Sequence, residues 1–213
     1  RETDLQAEKG ALDERYTAPA DTLGGKRRQA ARKLEKAVGK ILASLAMEQC
    51  RLEIAFHPRQ STDPHPHGSE DVEFLISTHP GNPAQPLGKI ASGGELSRIS
   101  LAIQVVTATA SPVASMVFDE VDVGIGGAVA EVVGGLLRKL AQEAQVLCVT
   151  HLPQVAAQGE QHLQVSKTST ETSVETRMRR LGEEDKVREI ARMLGGVKIT
   201  DQTLAHAREM LAL

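Results

Sequence analysis

Two short apolar runs, Ser115–Phe118 and residues 146–150, stand on either side of a helix-length amphipathic stretch at 127–144, and a second such stretch at 95–108 precedes the first run. Neighbouring parallel strands cannot be joined by a tight turn, so strands alternating with helices at this spacing specify a parallel sheet with crossover helices. The expected core is therefore α/β, with both strands buried. In open α/β sheets the ligand sits beyond the carboxyl ends of the strands, and here those ends carry Asp119-Glu120 and Thr150-His151. These four residues are the first candidates for chemistry.

The rest of the chain frames that core. Its 213 residues predict one large domain, or one domain with an appendage. An apolar fraction of 40% against 25% charged residues is a globular balance rather than a disordered one. No apolar run approaches the roughly 18 residues of a bilayer-spanning helix, and the charged N-terminus lacks a signal peptide's apolar segment. With only Cys50 and Cys148, expected as buried small hydrophobes, the reading is a soluble protein of a reducing cytoplasm with no membrane partner. Residues 1–48 have a helical rhythm, read as two segments broken at Pro19 and at Gly24-Gly25. Within the second, Leu34, Val38, Ile41 and Leu45 have the seam spacing of a coiled coil or of a helix docked on a partner. Alternation predicts strands at 51–57, with Leu52, Ile54 and Phe56 on one face, and at 72–78, with Val72, Phe74 and Ile76 on one face. Residues 161–167 and 173–180 form an expected hairpin, followed by closing helices at 184–194 and 202–213.

Net charge is −3, so any attraction to nucleic acid must be local. One basic run exists: Lys26, Arg27, Arg28, Arg32, Lys33, Lys36 and Lys40 stand against the single acid Glu35 between residues 26 and 40. It reads either as a surface that follows DNA phosphates or as a solvated helix face. The aromatics are Tyr16, Phe56, Phe74 and Phe118, with no Trp, which excludes a single-strand binder built on stacking platforms.

An apolar strand ending in two acids suits magnesium-nucleotide hydrolysis, with Asp119 holding the cation through water and Glu120 orienting or deprotonating the attacking water. The alternative is a strand end with two solvated acids. Ser92-Gly93-Gly94-Glu95 reads as a capping box or as a phosphate site at a helix N-terminus, where two glycines let backbone N–H groups approach an anion. His151 is placed to donate to a phosphate oxygen or to hold the water. His57, His65, His67 and His79 fall in or beside proline loops without metal-ligand spacing and read as solvated. Asp122 beside Asp119 and Glu120 raises a rival reading, a metal-dependent nuclease.

Taken in order along the chain, these pieces resemble one known family. The run Lys89-Ile90-Ala91-Ser92-Gly93-Gly94-Glu95-Leu96-Ser97-Arg98 resembles the signature motif of ABC-type ATPase heads of the SMC kind. Met116 through Glu120 looks like their Walker B strand, residues 121–127 like their D-loop, and Thr150-His151 like their switch histidine. The glycine-rich phrase 118–127 is most similar to a bacterial DNA-repair branch of that family. The resemblance covers about residues 34–213. It implies the C-terminal lobe of a P-loop NTPase-like head at 34–213, preceded at 1–33 by the end of a coiled-coil arm.

The resemblance further implies ATP and Mg2+ as cofactors and a homodimer whose two heads sandwich ATP. Ser92 and Gly94 would contact the γ-phosphate held by the opposite subunit, with Gly93 and Glu95 in the same nucleotide-binding set. Asp119, Glu120 and His151 would serve the nucleotide bound in cis, and Asp122 would couple the two sites across the interface. The implied role is control of DNA engagement in recombinational repair of double-strand breaks. The alternatives are a chromosome-organising SMC head and a non-enzymatic helical scaffold. The chain contains no Gly-x4-Gly-Lys-[Ser/Thr], so the Walker A loop is expected from an N-terminal part of the same head, without which the lobe is expected to be inactive.

Overall fold

A single helix, α1 (Glu2–Ser44), opens the chain. It passes through Pro19 and Gly24-Gly25 without a break, and the expected division into two segments is corrected accordingly. Gly24 is there for packing rather than for a turn: a Cβ at this position would lie 2.9 Å from Glu70 Oε2. The computed structural model describes residues 1–60, 63–90, 92–110, 113–169, 174–195 and 199–212. It divides into two units, Arg1–Ala91 and Ser92–Leu213. The 33/34 boundary read from the sequence falls inside α1.

In the first unit α1 packs on an antiparallel sheet of β1 (Arg51–Pro58), β2 (Glu70–Ser77) and β3 (Gln85–Pro86), ordered β1-β2-β3. The alternation in the sequence appears as cross-strand pairs: Leu52 opposes Ile76, Ile54 opposes Phe74, and Phe56 opposes Val72. Leu52, Ile54 and Ile76 are buried, together with Val38 and Leu45 of the helical seam and the neighbouring Leu42, while the seam's Leu34 and Ile41 are half-buried. Val38 and Leu45 of the seam are thus used within their own unit, where burial of each such side chain contributes roughly 1.5–3 kcal/mol. Glu35 Oε1 also accepts the Ile54 backbone N–H at 2.8 Å, a charged acceptor near the sheet edge.

In the second unit, α2 (Gly93–Thr107), β4 (Ser115–Phe118), α3 (Gly127–Leu140) and β5 (Gln145–Cys148) form the expected crossover. β4 and β5 pair in parallel, Ser115 with Gln145 through Phe118 with Cys148. The short helix α4 (Pro153–Ala156) follows, then the hairpin of β6 (Leu163–Ser169) and β7 (Val174–Arg180). Gly134 lets α4 approach α3 closely, since a Cβ there would lie 3.1 Å from the Gln154 carbonyl oxygen. Helices α5 (Glu183–Gly195) and α6 (Asp201–Leu211) close the unit around Val187, Ile190, Ala191 and Ala207. Ser173 and Leu213, which the sequence reading included in the hairpin and the last helix, lie outside the described residues.

Burial of β4 and β5 departs from expectation. Phe118 is buried, yet Val117, Leu147 and Val149 are 70%, 43% and 60% exposed. Parallel strands that are apolar on both faces are ordinarily covered on both. In these two strands one apolar face stands open.

Candidate nucleotide site at the strand ends

The site begins at the N-terminus of α2. Ser92 is its N-cap, with extended backbone, and Ser92 Oγ accepts the Glu95 N–H at 3.3 Å. The capping reading of Ser92 is therefore realised, and the helix tip still faces outward, with Ser92 and Gly93 exposed. Gly94 is buried against Val123, whose carbonyl oxygen would lie 3.2 Å from a Cβ at that position. Ala91, part of the same motif, lies outside the described residues.

Two residues of α2 that sequence reasoning left without a role tie this tip to the acidic loop. Ser97 Oγ donates to the Asp119 carbonyl oxygen at 2.8 Å, and Arg98 Nη1 donates to the Val123 carbonyl oxygen at 2.8 Å. Burial pushes the Arg98 guanidinium below its ordinary range, with nearby Glu95 acting in the opposite direction. Its Nε is buried without a hydrogen-bond partner. A cation inside an otherwise apolar helix face was the available signal in the sequence, because charged residues are rarely buried unless paired.

At the end of β4 the chain turns sharply. Glu120 has φ +58°, a left-handed conformation that costs a non-glycine residue roughly 1–2 kcal/mol and that clusters at functional sites. Asp119 Oδ1 supports the turn by accepting the Glu120 N–H at 2.9 Å. The Glu120 carboxylate comes to rest against Gly93, where any Cβ would overlap Oε2. The glycine signature and the acidic pair, distant in sequence, therefore meet in one chain. Between α2 and β4 lies a cleft of about 410 Å³ whose lining includes Ser97, Ser100, Gln104, Phe118 and Asp119.

Asp122 behaves differently from its acidic neighbours. Only 2% of it is exposed, and Oδ2 accepts the Thr150 hydroxyl at 2.5 Å and the His151 backbone N–H at 3.1 Å. His151 Nδ1 lies 3.4 Å from that same oxygen, while its side chain is 70% exposed at the strand end. The Asp122 carboxylate is thus committed to Thr150 and His151 of its own chain. The nuclease reading loses its third ligand for the same reason, and no group of three or more His, Cys, Asp or Glu among the described residues could hold a metal. A hydrated Mg2+ still suits Asp119, because that ion commonly takes one or two carboxylates and completes its shell with water and nucleotide phosphates. Nearby, burial with help from Asp122 and Asp119 pushes the Cys148 thiol up to about 12, so it stays protonated and unreactive.

The basic run is divided by the fold. Arg28 pairs with Glu70 and lies 5.0 Å over the Phe56 ring, and Arg27 Nη1 donates to the His67 carbonyl oxygen at 2.7 Å. Lys26, Arg32, Lys33, Lys36 and Lys40 remain exposed. Lys26, Lys33 and Lys40 recur every seventh residue, two positions after the buried Gly24, Ala31 and Val38. At about 100° per residue that offset places them on the opposite side of the helix.

No family model matches the chain. It is 48% identical over 207 residues to the DNA repair protein RecN of Vibrio cholerae, covering 97% of this chain and 37% of that protein. It is 38% identical over 230 residues to RecN of Bacillus subtilis, covering 99% of this chain and 39% of that one. This chain is a homologue of RecN.

It spans little more than a third of the length of these RecN relatives. Among solved structures, the Smc head domain with a coiled coil and joint from Pyrococcus yayanosii matches 92% of this chain and 35% of that one, with a TM-score of 0.61 and 18% identity. The Smc head domain with an extended coiled coil from Pyrococcus furiosus, bound to the C-terminal domain of ScpA, matches 89% of this chain and 45% of that one, with a TM-score of 0.53 and 20% identity. The fold of this RecN homologue is thus that of an SMC head, an α/β P-loop NTPase-like fold.

Proposed function

We propose that this chain is the C-terminal lobe of an SMC-like ATPase that uses ATP binding and hydrolysis to control head dimerisation and DNA engagement in recombinational repair of double-strand breaks. The observation that carries the reading is an outward-facing Ser92-Gly93 tip of α2 on the same chain as a parallel strand that ends in Asp119 and Glu120. The acids suit the Mg2+ and water of the chain's own nucleotide, and the helix N-terminus suits the phosphate of a second copy's.

In this reading ATP and Mg2+ supply the phosphoryl group and the charge that neutralises it. Asp119 holds the hydrated cation, Glu120 aligns the water, and His151 stands at the second strand end to hold that water or to donate to a phosphate oxygen. Ser92, Gly93 and Gly94 present backbone N–H groups and a hydroxyl to the nucleotide of a second copy, with Glu95 completing the capped tip. For them to do so Glu120 must swing off Gly93. Its carboxylate, the far end of a flexible side chain, can do this cheaply.

Two further observations support the architecture. The open face of Val117, Leu147 and Val149 fits strands or helices of an N-terminal part that brings the Walker A loop. Leu5 and Leu12, seven residues apart and 61% and 53% exposed on α1, fit a coiled-coil arm over residues 1–33 that enters the lobe at 34–213. The stripe Lys26, Arg32, Lys33, Lys36 and Lys40 then follows DNA phosphates, while Arg27 and Arg28 shape the surface from behind.

The test joins this chain to a Walker A-bearing N-terminal part. ATP turnover is expected only from the combination, and Glu120→Gln is expected to lower it by about a hundredfold or more, the scale of removing a general base. The same variant should accumulate an ATP-bound dimer on size-exclusion chromatography. Unchanged turnover in Glu120→Gln would remove Glu120 from the chemistry.

A further inference from the structure

A buried carboxylate is costly unless its oxygens are satisfied, and Asp122 satisfies one of them with groups from a single short segment. Oδ2 takes the Thr150 hydroxyl at 2.5 Å and the His151 N–H at 3.1 Å. The Thr150 oxygen in turn accepts the Leu152 N–H at 3.0 Å, so main chain on both sides of His151 is held. The ring itself leans back toward the same oxygen, with Nδ1 3.4 Å away, and the His151 side chain remains 70% exposed.

We propose that Asp122 is a positioning residue for His151, fixing its backbone through two hydrogen bonds and drawing Nδ1–H inward so that Nε2 faces out at the strand end. Which ring nitrogen carries the proton is set by what the other one meets. With Nδ1–H turned to Asp122, the neutral ring offers Nε2 as an acceptor for a water, and the doubly protonated ring offers it as a donor to phosphate. The acidic loop after β4 and the histidine loop after β5 are thereby a single unit, and a displacement of one is carried to the other. What Nε2 meets rests on the function proposed above, whereas the orientation of the ring does not.

The ring is read directly by 15N-edited NMR of the full chain at alkaline pH, with His151→Gln assigning its signals. Wild type is expected to show the Nδ1–H tautomer and Asp122→Asn to show mainly Nε2–H. Identical tautomers in the two proteins would overturn the proposal. Should Asp122→Asn fail to fold, hydrogen exchange of the His151 amide decides instead. Protection is expected to fall about tenfold in Thr150→Val and to return in Thr150→Ser, as befits a local opening; unchanged protection in Thr150→Val would overturn the proposal equally. In the protein completed with a Walker A-bearing part, Asp122→Asn is expected to lower kcat about tenfold with KM for ATP nearly unchanged, and to add nothing on a His151→Ala background. Full additivity of the two substitutions would count against it. If His151→Ala alone leaves turnover intact, the role of His151 in hydrolysis falls, and the tautomer and exchange results still decide what Asp122 does.

Discussion

Gly93 and Glu120 show how one missing methyl group can matter more for chemistry than for stability. A Cβ at position 93 overlaps the tip of the Glu120 side chain and meets nothing else within 4 Å, and that tip is free to swing. Gly93→Ala is therefore expected to leave the unfolding free energy from urea titration within about 1 kcal/mol of wild type. It should lower ATP turnover of the completed head about a hundredfold, because a methyl group on the helix tip keeps the second copy's phosphate from closing on the backbone N–H groups there. Loss of stability with retained turnover would contradict it. His162 supplies the pH dependence. It is buried, donates from Nε2 to the Ala156 carbonyl oxygen at 2.7 Å, and is held below the ordinary histidine range by burial. Burial disfavours the charged ring more than the Ala156 hydrogen bond favours it, so folding holds His162 neutral down to a lower pH than the unfolded chain does. The unfolded chain then binds the extra proton more readily, so the stabilisation is present above the unfolded histidine pKa of about 6.5 and is lost as pH falls through the lower folded value. Denaturation midpoints are expected to drop between pH 7 and pH 5, and to drop less in His162→Asn.

Helix α1 illustrates how far periodicity reaches. Leu34, Val38, Ile41 and Leu45 announce an apolar seam, and Val38 and Leu45 are fully buried, yet spacing alone does not say whether a sheet or a second helix covers it. The covering sheet is assembled from β1 and β2, whose own alternation is legible. Pro19 and Gly24-Gly25 read locally as breaks, and the helix continues because its neighbours on either side are strong helix formers and because Gly24 lets Glu70 and Arg28 come close. The two faces of α1 should separate by mutation. Lys33→Glu with Lys40→Glu is expected to weaken duplex DNA binding and to lower the salt slope by about two, with the urea midpoint nearly unchanged. Leu42→Ala is expected to cost about 2–5 kcal/mol of stability without altering the slope of the folded protein. Fluorescence anisotropy over a salt series and urea titrations check both halves.

At the scale of the molecule, the open face of β4 and β5 is where the proposed Walker A-bearing part would dock. Val117 and Val149 are 70% and 60% exposed, and Val149→Asp should leave the chain itself folded, since that side chain packs on little. The same change is expected to abolish association with the Walker A-bearing part, measured by co-elution; co-elution at the wild-type level would place the contact elsewhere. By itself the sequence determined the order of the longer elements, though not β3, α4 or the continuity of α1, together with the parallel β4–β5 pair, the β1–β2 register faces and the positions of Asp119, Glu120, Ser92 and His151 at element ends, because those depend on period, turn residues and motif spacing that are local in the chain. Only the tertiary structure decided that Glu120 rests on Gly93, that Asp122 turns inward to Thr150 and His151, that Arg27 and Arg28 leave the basic stripe, and that one face of the parallel strands is open. These are contacts between residues up to 42 positions apart, and their geometry is set by how elements pack, about which the spacing of residues along a single element carries no information.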